Sequence, residues 1–330
     1  MKRALSLAAA TVTLAAVAIT YAVTATADPS AAGVELDTSR PGQLLFLDAA
    51  GRVAAVPADD PGAARTVGDL HCRRFHSSGG TAVCLVAEVR GGLPGTSALI
   101  LDSGLRETNR LNLAGIPSRA RVSPSGRMVA WTVFVTGETY NATGFSTWTG
   151  ILDTRTGYPI VNIETIPLYL DRRRHHAADV NVWGVTFAAD DNRFYATVST
   201  QGRTYLVEGD YRKWEARSLR ADVECPSLSP DGRRLVFKKR VSSSADGAWR
   251  LHVLDLATMR ETPLAETVSV DDQVQWLSDE LVAYAKPGAA GGSDIWAVPA
   301  DGSGSPRLLI SSASSPSGFE VTRQPVGATT

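Results

Sequence analysis

A short phrase recurs along this chain: a Ser-Pro-Asp-Gly turn or a worn copy of it, an apolar strand, then a second strand ending near Asp. The clearest copies are Ser229-Pro230-Asp231-Gly232 before Leu235-Val236-Phe237, and Ser123-Pro124-Ser125-Gly126 before Met128-Val129-Ala130-Trp131. The turn chemistry is local: Pro presets φ, Asp bonds the nearby backbone and Gly takes the positive φ. A supersecondary unit repeated at a steady period builds a solenoid or a propeller.

The strand after each second loop sets the period. Six segments align: Arg52 to Pro57, Ala98 to Asp102, Thr149 to Asp153, Thr204 to Glu208, Leu251 to Asp255 and Asp294 to Pro299. From Val56 through Leu101, Leu152, Val207, Leu254 and Val298 the spacing is about forty-five to fifty-five residues, one four-stranded propeller blade. The expectation is an all-β, six-bladed propeller of four-stranded antiparallel blades over residues 42–312. A C-terminal tail, residues 313–330, follows. The first unit lacks an inner strand, and a segment near Phe319-Glu320-Val321 is expected to supply it and close the ring, which removes open sheet edges. The interval from Asn162 to Asn181 is longer than the others, and excess loops of this kind are expected on one face of the disc.

The N-terminus reads as a targeting segment. Lys2 and Arg3 precede an unbroken run of apolar residues, Ala, Ser and Thr at 4–23, and Ala25-Thr26-Ala27 offers a small-x-small cleavage site. That order marks a secretory signal over residues 1–27; the competing reading is an uncleaved membrane anchor. Residues 28–41 read as a flexible linker. Either way the remainder is expected outside the cytoplasm, secreted or in the cell envelope. With a net charge of −1 and interspersed signs, nucleic acid is not an expected partner.

Three cysteines suit an exported chain with one disulfide and one spare thiol. Cys72 and Cys84 flank the Ser77-Ser78-Gly79-Gly80 turn. Pairing Phe75 with Ala82 leaves Cys72 one place out of register with Cys84, which a bulge would correct. A bridge from Cys225 across the molecule is the alternative. No Cys/His spacing suggests zinc, and neither metal nor cofactor is expected.

The repeats resemble those of the TolB-type β-propellers, a WD-like family with a Pro-Asp-Gly turn in each blade; secreted actinomycete proteins carry such arrays. The resemblance runs from about Gly42 to Ile310. It implies a binding module of the cell envelope. Members work with a peptidoglycan-associated lipoprotein and carry an additional N-terminal α/β domain, for which the stretch before the first blade leaves no room.

Propellers bind at the mouths of the central channel. Counting back from each inner turn gives His71, Arg119, Trp183, Glu224 and Asp272 as channel-rim candidates for a ligand or partner. Their structural alternative is mutual neutralisation around a water-filled channel. The run Arg172, Arg173, Arg174, His175, His176 suggests either an anion-binding loop or a solvated one. The pairs Asp190-Asp191 and Asp271-Asp272 fit turn chemistry better than calcium, since no EF-hand spacing accompanies them. Asn141-Ala142-Thr143 matches a glycosylation sequon. No nucleophile elbow, zinc helix, phosphate loop or dinucleotide fingerprint is present; Gly144-Phe145-Ser146-Thr147-Trp148 lacks the second Gly. The expectation is a monomeric, non-enzymatic protein-binding or scaffolding module with an envelope or secreted protein as partner. It touches the membrane only through an uncleaved N-terminal segment, as a tethered sensor would. The alternative is a propeller lyase or hydrolase acting on a carbohydrate or lactone through charged residues at the channel mouth.

Overall fold

A computed structural model describes residues 36–135, 146–242, 248–289 and 291–318. The expected targeting segment, most of the expected linker, the Asn141 sequon and Phe319-Glu320-Val321 lie outside the described residues. Six sheets follow one another around a central axis, each a blade, with its first strand innermost in blades 2 to 6. Their inner strands are Ala313–Ser317 in blade 1, Arg74–Ser78 in blade 2, Ile116–Val122 in blade 3, Asn181–Phe187 in blade 4, Glu224–Leu228 in blade 5 and Gln275–Trp276 in blade 6. The architecture is the expected six-bladed all-β propeller.

Sequence dictates the packing through burial on both faces of each blade. In Gln43–Asp48, Leu44 and Phe46 face blade 6, packing with Ala283 and Ile295. Leu45 and Leu47 face blade 2, packing with Phe75 and Leu99. Ala82 and Cys84 likewise meet blade 1, while Val83 and Leu85 meet blade 3. Such strands need apolar residues at every position, so they read as continuous runs rather than alternating ones. Six such layers form the core, each fully buried Leu or Phe contributing about 1.5–3 kcal/mol. Close packing also explains Gly209: a Cβ there would lie 2.1 Å from Phe194 of the adjacent strand, so only glycine admits the ring.

The ring closes between distant parts of the chain. Ala313–Ser317 pairs antiparallel with Gln43–Asp48, placing Leu45 opposite Ser317 and Asp48 opposite Ala313. The closing strand therefore comes from the C-terminal end as expected, but before Phe319.

The hairpin of the disulfide differs from the expected register. Gly79 and Gly80, both with positive φ, form a two-residue turn, so Ser78 pairs with Thr81 and Phe75 with Cys84, not Ala82. Cys72 precedes the strand and its N–H donates to Gly51 O at 2.8 Å. No bulge in the hairpin is needed: Cys72 and Cys84 are bonded within the layer between blades 1 and 2. Cys225 is free and buried.

Blade 4 carries the other departure. The long interval forms a hairpin, Leu168–Leu170 with Arg173–His175, that extends the sheet to six strands. Leu168 and Tyr169 pair parallel to Ala216 and Arg217 of the outer strand. The excess residues thus continue the blade outward rather than decorating a face.

Candidate functional site

Within each blade the inner strand runs from the face where blades connect, here the crossover face, to the face bearing the Pro-Asp-Gly turns, here the turn face. The turns are locked by their own side chains. In the best copy, Gly232 N–H donates to Ser229 O at 2.9 Å, Arg234 N–H to Ser229 Oγ at 2.9 Å and Arg233 N–H to Asp231 Oδ1 at 3.0 Å. Neighbouring turns are then tied together. Asp191 Oδ1 accepts from Ser123 Oγ at 2.8 Å and Ser125 Oγ at 2.7 Å, joining blades 3 and 4. Asp279 Oδ1 accepts from Asp231 N–H at 3.0 Å, joining blades 5 and 6.

These turns wall a funnel of about 870 Å³ that opens on the turn face. Its sides include Pro124, Phe187, Leu228, Pro230, Trp276 and Leu277, with Asp190, Asp279 and Glu280 among the acids and Arg193 on the basic side. Pro124, Ala189 and Pro230 are exposed there and Leu228 half-buried.

The funnel's base is a polar plug. His76, Arg121 and Gln275, from blades 2, 3 and 6, meet there; His76 is 6% and Arg121 7% exposed. Gln275 Nε2 donates to Trp276 O at 2.9 Å, which turns Oε1 toward the axis. Arg121 Nη1 donates to that oxygen at 2.8 Å, and Nη2 donates to Val274 O at 3.0 Å. Val122 N–H donates to His76 Nδ1 at 3.1 Å, so Nδ1 is an acceptor, and Nε2 lies 3.1 Å from Gln275 Oε1 and 2.9 Å from Arg121 Nη1. Burial first, then the adjacent Arg121 charge, holds the His76 pKa well below its usual value; the imidazole is neutral. Burial brings Arg121 down to about 10 against the pull of Asp272, so it stays charged at neutral pH.

Beyond the plug, toward the crossover face, lies a chamber of about 30 Å³, lined by Arg74, Arg119, Arg121, Asp272, Gln273 and Ser315 among others. Arg74 Nε donates to Ser118 O at 2.6 Å, and burial, with Arg119 as a like-charged neighbour, lowers its pKa. Inner strands bulge in three successive blades here, between Pro117 and Arg119, Trp183 and Thr186, and Glu224 and Ser227. Gly184 and Cys225 take positive φ at these bulges. Gln273 Nε2 donates to Val185 O at 3.1 Å and Pro226 O at 3.0 Å, satisfying carbonyls that the bulges free.

The structure brings together some of the sequence candidates. Arg119 reaches Asp271 Oδ1 at 3.4 Å; burial works against its charge, but Cys225, Asp272 and Asp271 outweigh it and raise its pKa. Asp272 lines the chamber and its Oδ2 accepts from Ala285 N–H at 3.2 Å. Glu224 lies 3.8 Å from Lys238, and burial raises its pKa despite that neighbour. Trp183 stands half-buried just before the blade 4 bulge. His71 does not reach the channel: it is exposed at the end of blade 1's outer strand, with Nδ1 3.3 Å from Ala50 O. The blade 2 inner strand begins only at Arg74, so counting back by the common distance steps into the preceding blade, and Arg74 occupies the axial position.

Sequence reasoning missed Arg74, His76, Arg121 and Gln275. Their signal is polar residues at i and i+2 on inner strands, Arg74 with His76, Arg119 with Arg121 and Gln273 with Gln275, marking the axis-facing side. Arg172, Arg173 and Arg174 are exposed on the blade 4 hairpin at the rim, far in topology from the axis. Asp190 serves its turn, accepting from Asn192 and Arg193 N–H at 2.9 and 2.8 Å; Asp271-Asp272 instead belong to the channel. Among the described residues no group of three or more His, Cys, Asp or Glu is placed to hold a metal ion, and no helix is long and apolar enough to cross a membrane.

No protein-family model and no curated protein matches the chain. Solved structures do. The crystal structure of TolB from Acinetobacter baumannii matches with a TM-score of 0.57 and 15% identity, over 84% of this chain and 66% of that one. This chain therefore spans just under two thirds of that TolB. A putative TolB from Agrobacterium tumefaciens matches with a TM-score of 0.48 and 12% identity over 81% and 87% of the two chains. A Mycobacterium tuberculosis puromycin-hydrolyzing peptidase gives 0.47 and 15% over 81% and 43%. With six blades, a closing strand from the C-terminal end and the Acinetobacter TolB among its matches, the chain has a TolB-like β-propeller fold.

Proposed function

We propose that this protein is an exported, non-enzymatic binding module of the cell envelope whose turn-face funnel receives an extended segment of a partner protein. The funnel carries this reading: a preformed recess of about 870 Å³, rigidly walled by turns from several blades and stopped at its base by a neutral imidazole and a committed guanidinium. Concave, largely preformed sites with a few placed polar groups are where ligands bind. Leu228, Pro230 and Pro124 offer apolar contact, and Asp190, Asp279 and Glu280 offer acceptors to a basic or amide-bearing segment. Arg121 Nη1 and Nη2, the two His76 nitrogens and Gln275 are engaged within the plug, which leaves no unengaged acid–base pair at its base and favours binding over catalysis.

Photo-crosslinking from position 189 in the native envelope, read by mass spectrometry, tests this. The expected result is one protein partner whose yield falls at least tenfold in Leu228→Arg, with the mature chain starting at Asp28. An unchanged yield in Leu228→Arg overturns the funnel as the site. A co-purified divalent metal or sugar in place of a protein supports the enzyme alternative.

A further inference from the structure

The chamber on the crossover side of the plug holds more positive charge than its surroundings balance. We propose that it binds a single halide-sized monovalent anion, held by the guanidinium groups of Arg74, Arg119 and Arg121.

Three guanidiniums and one carboxylate, Asp272, line the chamber. The pairing chain beyond it adds Asp271 on Arg119, Lys238 on Asp271, and Glu224 beside Lys238. Four cations against three carboxylates leave one positive charge, and Arg119 and Arg121 are largely buried, where an uncompensated charge is costly. Hydrogen bonding shows the same deficit. The Nε–H groups of Arg119 and Arg121 are buried and have no acceptor among the described residues. The Arg121 side chain is more than nine-tenths buried, and its other nitrogens are committed to Gln275 and Val274. Arg119 lies against the Cys225 thiol as well as Asp271, so Arg121 Nε is the cleaner orphan. Buried donors of this kind ordinarily find a partner. The chamber's volume of about 30 Å³ exceeds the roughly 10–15 Å³ that a single water needs on that measure. That size admits chloride or bromide. A water could accept the hydrogen bonds but would leave the charge unbalanced.

The test is crystallisation of the full chain in bromide, with melting measured in chloride and in gluconate at matched ionic strength. The expected result is an anomalous bromide peak in the chamber and a Tm about 3 °C higher in chloride. That rise is lost in Arg121→Gln and in the less buried Arg74→Gln, and retained in Arg174→Gln on the blade 4 hairpin. A water rather than bromide at that position overturns the proposal. So does a chloride response in Arg74→Gln equal to that of the parent.

Discussion

On the turn face the channel mouth is wide, walled by prolines and small residues, and held by hydrogen bonds between neighbouring turns. On the crossover face it narrows to a small chamber ringed by arginines, with bulged strands and a buried polar plug. The first mouth spends few buried charges and leaves a recess; the second concentrates charge and leaves almost no space. The open recess and the buried charge are thus segregated to opposite ends of one axis, and substitutions at the two ends should behave differently.

The largest effect expected is from deleting the chain from Ala313 onward. That removes blade 1's inner strand and opens the ring, exposing two sheet edges. Loss of the cooperative thermal transition and of solubility is expected at both mouths together; an unchanged Tm would mean the ring does not depend on Ala313–Ser317.

Next, Arg121→Met should lower stability by about 2–3 kcal/mol in urea denaturation, through loss of hydrogen bonds from a charged group and the acceptors left unpaired. Pro230→Ala on the turn face should cost no more than about 1 kcal/mol. Equal effects would dissolve the contrast between the mouths.

The plug should also impose a pH slope. His76 is held neutral in the fold, so below about pH 6.5 the unfolded chain takes up a proton that the folded one refuses. Stability should then fall by about 1.4 kcal/mol per pH unit until the folded pKa is reached. Urea titrations at pH 7, 6 and 5 should show a slope shallower by that amount in His76→Gln than in the parent, the remainder coming from groups such as His252, whose pKa burial also lowers.

The smallest effect is expected from the tie between turns. Asp279→Ala removes the acceptor for Asp231 N–H and should cost about 1 kcal/mol, with a rise in hydrogen exchange confined to the blade 5 and blade 6 turns.

The blades were legible because their strands are buried on both sides. Leu44-Leu45-Phe46-Leu47 or Ala82-Val83-Cys84-Leu85 can only be interior strands, and Pro-Asp-Gly turns mark where they begin. The axial site was less so. A bulge adds a residue without an outward signal, so counting along the inner strands loses phase at Gly184 and Cys225, and overruns the short blade 2 strand to reach His71. The closing strand, Ala313-Ser314-Ser315-Pro316-Ser317, has neither apolar pattern nor β propensity. It is a strand because blade 1 offers it an open edge, a tertiary cause invisible locally; the more strand-like Phe319-Glu320-Val321 drew attention instead. The six-stranded blade 4 was hidden for a similar reason, since the parallel pairing of Leu168 with Ala216 leaves no local trace.

That closing strand has a consequence in time. The strands of blade 1 are the first of the described strands to be synthesised, yet their missing neighbour arrives only after five further blades. Until Ala313 emerges, Gln43–Asp48 presents a bare edge and the layers beside it lack their seal. Such non-local pairing is slow and exposed to misassociation while it waits. The blade 1 edge therefore stays open until residues 313–317 have been supplied.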